Sequence, residues 1–217
     1  MTRHFFNALD VLKRDLLAMG GLVETAVARA TRAFLESDDS EVDAIVDGDA
    51  EVNALELRIE EECLKVMALY APTAKDLRFV VGVFKITNDL ERIADLAVNV
   101  AERARGAVLE GVGPIDDDVR EMSDRVRRMV RMALDAFVGL DGEVAREVMR
   151  MDDRVDELLR DAYEKQSKAV DSGLTDFKGA VRVLSFAKYL ERIADHATNI
   201  AEDVIYLASG DVVKHQY

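Results

Sequence analysis

Tryptophan is missing from this 217-residue chain, and cysteine is nearly so: Cys63 stands alone. One cysteine rules out an intramolecular disulfide framework and fits a reducing compartment. Only two prolines and five tyrosines leave few of the punctuation and side-chain signals that strands require. Long apolar runs are lacking too. No stretch approaches the 18 or so uninterrupted apolar residues of a membrane span, and the N-terminus enters charged helical pattern without an apolar leader core. Positive charge is in deficit, with 29 Lys and Arg against 43 Asp and Glu, a net charge of −14. So acidic a chain is a poor nucleic-acid binder, because phosphate backbones select basic stripes. These absences together predict a cytoplasmic protein with neither nucleic acid nor inserted membrane among its partners.

What is present is helical pattern. Hydrophobic residues make up 49% of the chain and charged residues 33%, and apolar positions recur at three- and four-residue spacing. Turn signals predict six long helices. The first runs from about Phe5 to Glu36 and the second to about Tyr70, where Pro72 ends it. Thr73 with Asp76 reads as a capping box opening the third, which extends to about Arg105. A fourth ends near Leu140, a fifth runs from Gly142 to about Val170, and a sixth, capped by Thr175, reaches Ser209.

The most informative feature is an echo. Leu90-Glu91-Arg92-Ile93-Ala94-Asp95 returns letter for letter at Leu190-Glu191-Arg192-Ile193-Ala194-Asp195, and the wider windows 89–102 and 189–202 agree at ten of fourteen positions. A second correspondence, Asp49, Val52 and Leu55 with Asp152, Val155 and Leu158, extends the duplication to the preceding helix. The expected architecture is therefore all-α: two tandem three-helix bundles, residues 1–111 and 112–217, related by a pseudo-twofold axis.

The repeated residues are mostly charged, which packing alone does not demand. On a helical wheel Glu91, Asp95, Asn99 and Glu102 form one stripe roughly opposite the apolar face, and Glu191, Asp195, Asn199 and Glu202 form its copy. The preceding helices add Asp49 with Asn53, beside Glu56 and Glu60, and Asp152 with Asp156. Like charges at i and i+4 repel by a few tenths of a kcal/mol, and a cation between them removes that cost. Oxygen donors without His or Cys suit a hard ion such as Mg²⁺, Ca²⁺, Mn²⁺ or Fe³⁺. The plainer alternative is a solvated acidic face offset by Arg92, Arg192 and Lys188 through surface pairs of little energetic weight. His196 reads as a helix-edge residue, Cys63 and the methionines as core, and no cationic pocket stands out. No nucleophile elbow, phosphate-cradling glycine loop or zinc motif is present.

The doubled Leu-Glu-Arg-Ile-Ala-Asp with its downstream Asn-(Val/Ile)-Ala-Glu resembles the PhoU family of phosphate-signalling regulators. So do Pro72-Thr73-Ala74-Lys75-Asp76-Leu77-Arg78 and Asp49-Ala50-Glu51-Val52-Asn53-Ala54-Leu55. The resemblance implies a cytoplasmic, non-enzymatic negative regulator of phosphate uptake and starvation signalling, commonly a homodimer. Its implied partners are the ATPase subunit of a high-affinity phosphate transporter and a sensor histidine kinase. It also implies metal ions, including iron clusters, on paired acid motifs. Here those motifs fall on Glu91 and Asp95, Asp49 and Asn53, Glu191 and Asp195, and Asp152 and Asp156, with Asn53 a neutral ligand. The family often has Gly where Ala94 and Ala194 stand, which implies slightly wider helix contact. Two other readings compete: an accessory subunit of a different phosphate transporter, and a carboxylate-bridged metalloenzyme. The second lacks the Glu-x-x-His pairs such bundles use.

Overall fold

Amphipathic periodicity produces six helices in this computed structural model, which describes residues 3–210. They are α1 (Arg3–Glu36), α2 (Val42–Tyr70), α3 (Ala74–Glu110), α4 (Asp117–Gly139), α5 (Gly142–Asp171) and α6 (Phe177–Ser209). No strand occurs among the described residues. The outer limits expected for the two halves, residues 1 and 217, lie outside them. None of the described helices is long and apolar enough to cross a membrane.

Helix ends follow local chemistry. Ala71 adopts a left-handed conformation at the end of α2, and Pro72, which cannot continue a helix, follows it. Thr73 is the N-cap of α3, but its side chain makes no capping bond. The turn closes instead through the backbone, with Asp76 N donating to Thr73 O at 3.0 Å. The expected capping box is therefore incomplete. At α6 the cap is Asp176 rather than Thr175: its carboxylate accepts from Gly179 N at 2.7 Å, satisfying a donor that the first helical turn leaves free. Helix α3 also outruns the expected end at Arg105, continuing to Glu110 before Gly111, whose φ of 78° suits glycine.

Helices α1 to α3 form one bundle and α4 to α6 the other, and each helix has its counterpart three elements on. The seams join α3 to α6 and α1 to α4, the two pairings that map onto themselves when the halves are exchanged. One hydrophobic core runs through both bundles. Phe34 of α1 stacks on Phe186 of α6 at 4.1 Å between ring centroids, and Phe137 of α4 stacks on Phe79 of α3 at 6.2 Å. Across the α3–α6 seam, Asp89 Oδ1 meets His196 Nδ1 at 2.8 Å and accepts from Asn199 Nδ2 at 3.2 Å. His196 is thus an inter-repeat bridge, not a bare helix edge. The positions equivalent to Asp89 and His196 carry Tyr189 and Leu96, so this bridge exists on one side only.

Candidate functional site

The second and third helices of each half place the repeated acids along their shared seam. In the first half, α2 contributes Asp49, Asn53 and Glu56, and α3 contributes Glu91 and Asp95. Asp49 Oδ2 accepts from Asn53 Nδ2 at 2.9 Å, whereas Asp49 Oδ1 is buried with no hydrogen-bond partner. Glu91 is only 17% exposed. Its Oε2 is also buried without a hydrogen bond; Arg92 Nε, 3.4 Å away, is within ion-pair range but not aligned to donate.

The second half repeats the pattern. Asp152 Oδ1 and Glu191 Oε2 are buried and unpartnered, the same two atoms as in the first half. Lys188 Nζ reaches Glu191 Oε1 at 2.7 Å, which satisfies one oxygen and leaves the other. The wheel placed these acids opposite the core. The structure instead lays Asp49, Glu91, Asp152 and Glu191 half-buried between helices, because each stripe faces the neighbouring helix of its own half.

Burial and crowding shift their protonation. Burial raises Asp152 to about 7, and the negative charges of Asp195, Asp156, Asp153 and Glu191 push the same way. Asp195 is raised by burial and then by Glu191 and Asp156, against the lowering effect of Lys188 and His196. In the first half, burial raises Glu91, with Asp95, Glu56 and Asp49 adding to it and Arg92 opposing. Burial likewise raises Asp49 more than its bond from Asn53 lowers it. Burial, then Glu60, raises Glu56, with Arg92 opposing and Asp95 adding.

All eight residues named from the sequence fall into these two groups: Asp49, Asn53, Glu91 and Asp95 in one, and Asp152, Asp156, Glu191 and Asp195 in the other. Glu56 joins the first. Asn99 does not, since its amide turns back to Asp95 O at 2.8 Å; Asn199 is spent on Asp89. Glu102 is exposed. Among the described residues no three His, Cys, Asp or Glu side chains converge as a finished metal cage. What fits a hard cation is the donor set: oxygen only, with a buried and unsatisfied carboxylate oxygen from each helix of each seam.

Around the first group, the Ala94 methyl and Asp49 line a cavity of ≈180 Å³. Cys63 is buried, which pushes its thiol up to about 12 and leaves it inert. Sequence reasoning missed a different feature. Arginines of α1 and α4, distant in sequence, meet along a groove between those two helices. The alternation of Arg with Asp and Glu in α4 hid it.

The family model described as the PhoU domain matches the chain twice, over residues 16–104 and 119–204. A relative from Pseudomonas putida, the phosphate-specific transport system accessory protein PhoU homolog, is 40% identical over 99% of this chain and 86% of its own length. The homolog from Pseudomonas aeruginosa is 39% identical over 99% of this chain and 91% of its own. Among solved structures, the crystal structure of PhoU from Pseudomonas aeruginosa superposes with a TM-score of 0.92 at 36% identity, covering 95% of this chain and 100% of that one. The phosphate transport system regulatory protein PhoU from Streptococcus pneumoniae gives 0.88 at 25% identity, over 97% and 99%.

Proposed function

The chain belongs to the PhoU family, and from that membership we propose that it is a cytoplasmic negative regulator of phosphate uptake and phosphate-starvation signalling. It is a regulatory protein, not an enzyme. In this reading it works as an adaptor, commonly a homodimer, between the ATPase subunit of a high-affinity phosphate transporter and a sensor histidine kinase. Regulation requires tighter binding to one state of the partner than to the other, since equal affinity shifts no equilibrium.

One observation carries the site assignment: the same two carboxylate oxygens, one per helix, are buried and unsatisfied in both halves. Metal ions such as iron, Mn²⁺ or Mg²⁺ would be held by Asp49, Glu91 and Asp95, with Asn53 as a neutral donor, and by Asp152, Asp156, Glu191 and Asp195. A bound cation supplies charge neutralisation and ties α2 to α3 and α5 to α6. The chain's own contribution is to hold the carboxylates at the seam, partly dehydrated, so that a cation entering there meets less competition from water.

The test has two arms. Affinity capture from phosphate-replete cells should recover a transporter ATPase or a sensor kinase, and Glu91→Gln with Glu191→Gln should reduce that recovery. Separately, saturating metal at about 100 times Kd should stabilise the wild type by about 2.7 kcal/mol for each of the two sites, a rise in Tm of roughly 5–11 °C per site for a domain of this size. Recovery of neither partner after cross-linking defeats the adaptor reading. A Tm indifferent to iron, Mn²⁺ and Mg²⁺ in the chelator-treated protein defeats the metal site and leaves the adaptor standing.

A further inference from the structure

Six arginines converge between α1 and α4: Arg29 and Arg32 from α1, and Arg120, Arg127, Arg128 and Arg131 from α4. They border two adjoining cavities of ≈270 and ≈250 Å³ that meet at Ala28 and Arg127. Three acids share these walls, Glu24, Glu36 and Asp124, and Glu41 pairs with two of the arginines, so the groove holds a local excess of two positive charges in a chain of net −14. We propose that this groove binds a linear phosphoryl polyanion, an inorganic chain of three or more linked phosphates.

Several features select that class. Every cation along the groove is arginine, whose planar fork pairs bidentately with phosphate or carboxylate oxygens, and none is lysine. The four guanidinium groups of α4 are available. Arg120 and Arg128 make no ion pair among the described residues, while Arg127 and Arg131 are held loosely, 3.6 Å from Asp124 and 4.0 Å from Glu24. Arg29 and Arg32, by contrast, share Glu41 at 3.1 and 2.7 Å.

Shape narrows the choice further. From Arg120 to Arg131 the α4 wall extends about 17 Å at 1.5 Å per residue, so the site is long. Cavities of ≈270 and ≈250 Å³ over that length also leave no room for a helix, which with its side chains is about 10–12 Å across. An extended acidic peptide would fit the width, but its side chains alternate between faces and present a carboxylate to the groove only about every 7 Å. A phosphate chain carries charge on every unit. It can therefore meet several of these arginines at once, whereas a small anion touches one or two.

Calorimetric titration of the chelator-treated full chain at fixed ionic strength tests the assignment, using orthophosphate, tripolyphosphate, a medium-chain polyphosphate and a poly-glutamate peptide. Chelator treatment removes metal stripping as a source of heat. Affinity should rise at least tenfold from tripolyphosphate to the longer chain, with orthophosphate silent. Arg127→Ala combined with Arg128→Ala should weaken the longer chain at least tenfold, Arg127→Lys by less, and Lys75→Ala, away from the groove, not at all. Circular dichroism checks that these surface variants keep their helices. Affinity that ignores chain length, survives the double variant, or is matched by poly-glutamate overturns the proposal. The last outcome identifies the groove as a docking site for an acidic protein segment.

Discussion

Asp152 carries the largest consequence of any single side chain. Its folded-state carboxyl titrates at about 7, above the ordinary 3.8. Between those values the folded protein holds a proton that the unfolded chain has released, so stability is greatest at the acid end of the window and falls as pH rises to neutrality. Asp152→Asn should flatten that dependence and stabilise the metal-free protein at pH 8 by roughly 1–2 kcal/mol, after allowance for solvent screening of a partly exposed group. Denaturant midpoints at pH 5 and pH 8 measure it, and a loss of stability at pH 8 would contradict the assignment. The same substitution removes one of the proposed ligands, so saturating metal should stabilise the variant less than the wild type. The eight acid-motif residues were legible from their duplication. Their burial was not, because a wheel for one helix carries no information about where its neighbour lies. Asp89 and His196 show the same limit: 107 residues apart, they carry no shared pattern that would announce a bond.

At the scale of the element, caps separate pattern from performance. Thr73 and Asp176 open third helices in equivalent places, yet only Asp176 makes the capping bond. Asp176→Ala should therefore cost about 1 kcal/mol, whereas Thr73→Ala should change stability by less than about 0.5 kcal/mol, the range of ordinary surface substitutions. Urea denaturation of the two variants distinguishes them, and equal losses would show that the side chain of Thr73 contributes after all. Helix number and type followed directly from the 3.6-residue period. The ends were harder: capping geometry depends on backbone angles such as the φ of 37° at Ala74, which residue identity does not reveal. The arginine groove was hidden for a related reason. Its residues alternate with acids along α4, and only the antiparallel approach of α1 gathers them on one side.

For the whole molecule, the decisive fact is that the two bundles share one core. Duplication suggested two units, and the pseudo-twofold arrangement agrees, but the aromatic stacks of Phe34 with Phe186 and Phe137 with Phe79 join each bundle to the other. Unfolding should be a single transition in which far-ultraviolet and near-ultraviolet signals coincide. Phe34→Ala should lower its midpoint through a loss of about 3–5 kcal/mol, without splitting it. Two resolved steps would show that the halves are energetically separate. The shared core also bears on the duplication. A lone repeat of this shape would expose the apolar faces now covered across the α3–α6 and α1–α4 seams, and a second copy of itself is what covers them here. Carrying both copies on one chain fixes each beside the other and leaves each free to vary on its own. The one-sided Asp89–His196 bridge is a mark of that freedom: in a true homodimer it would occur twice or not at all.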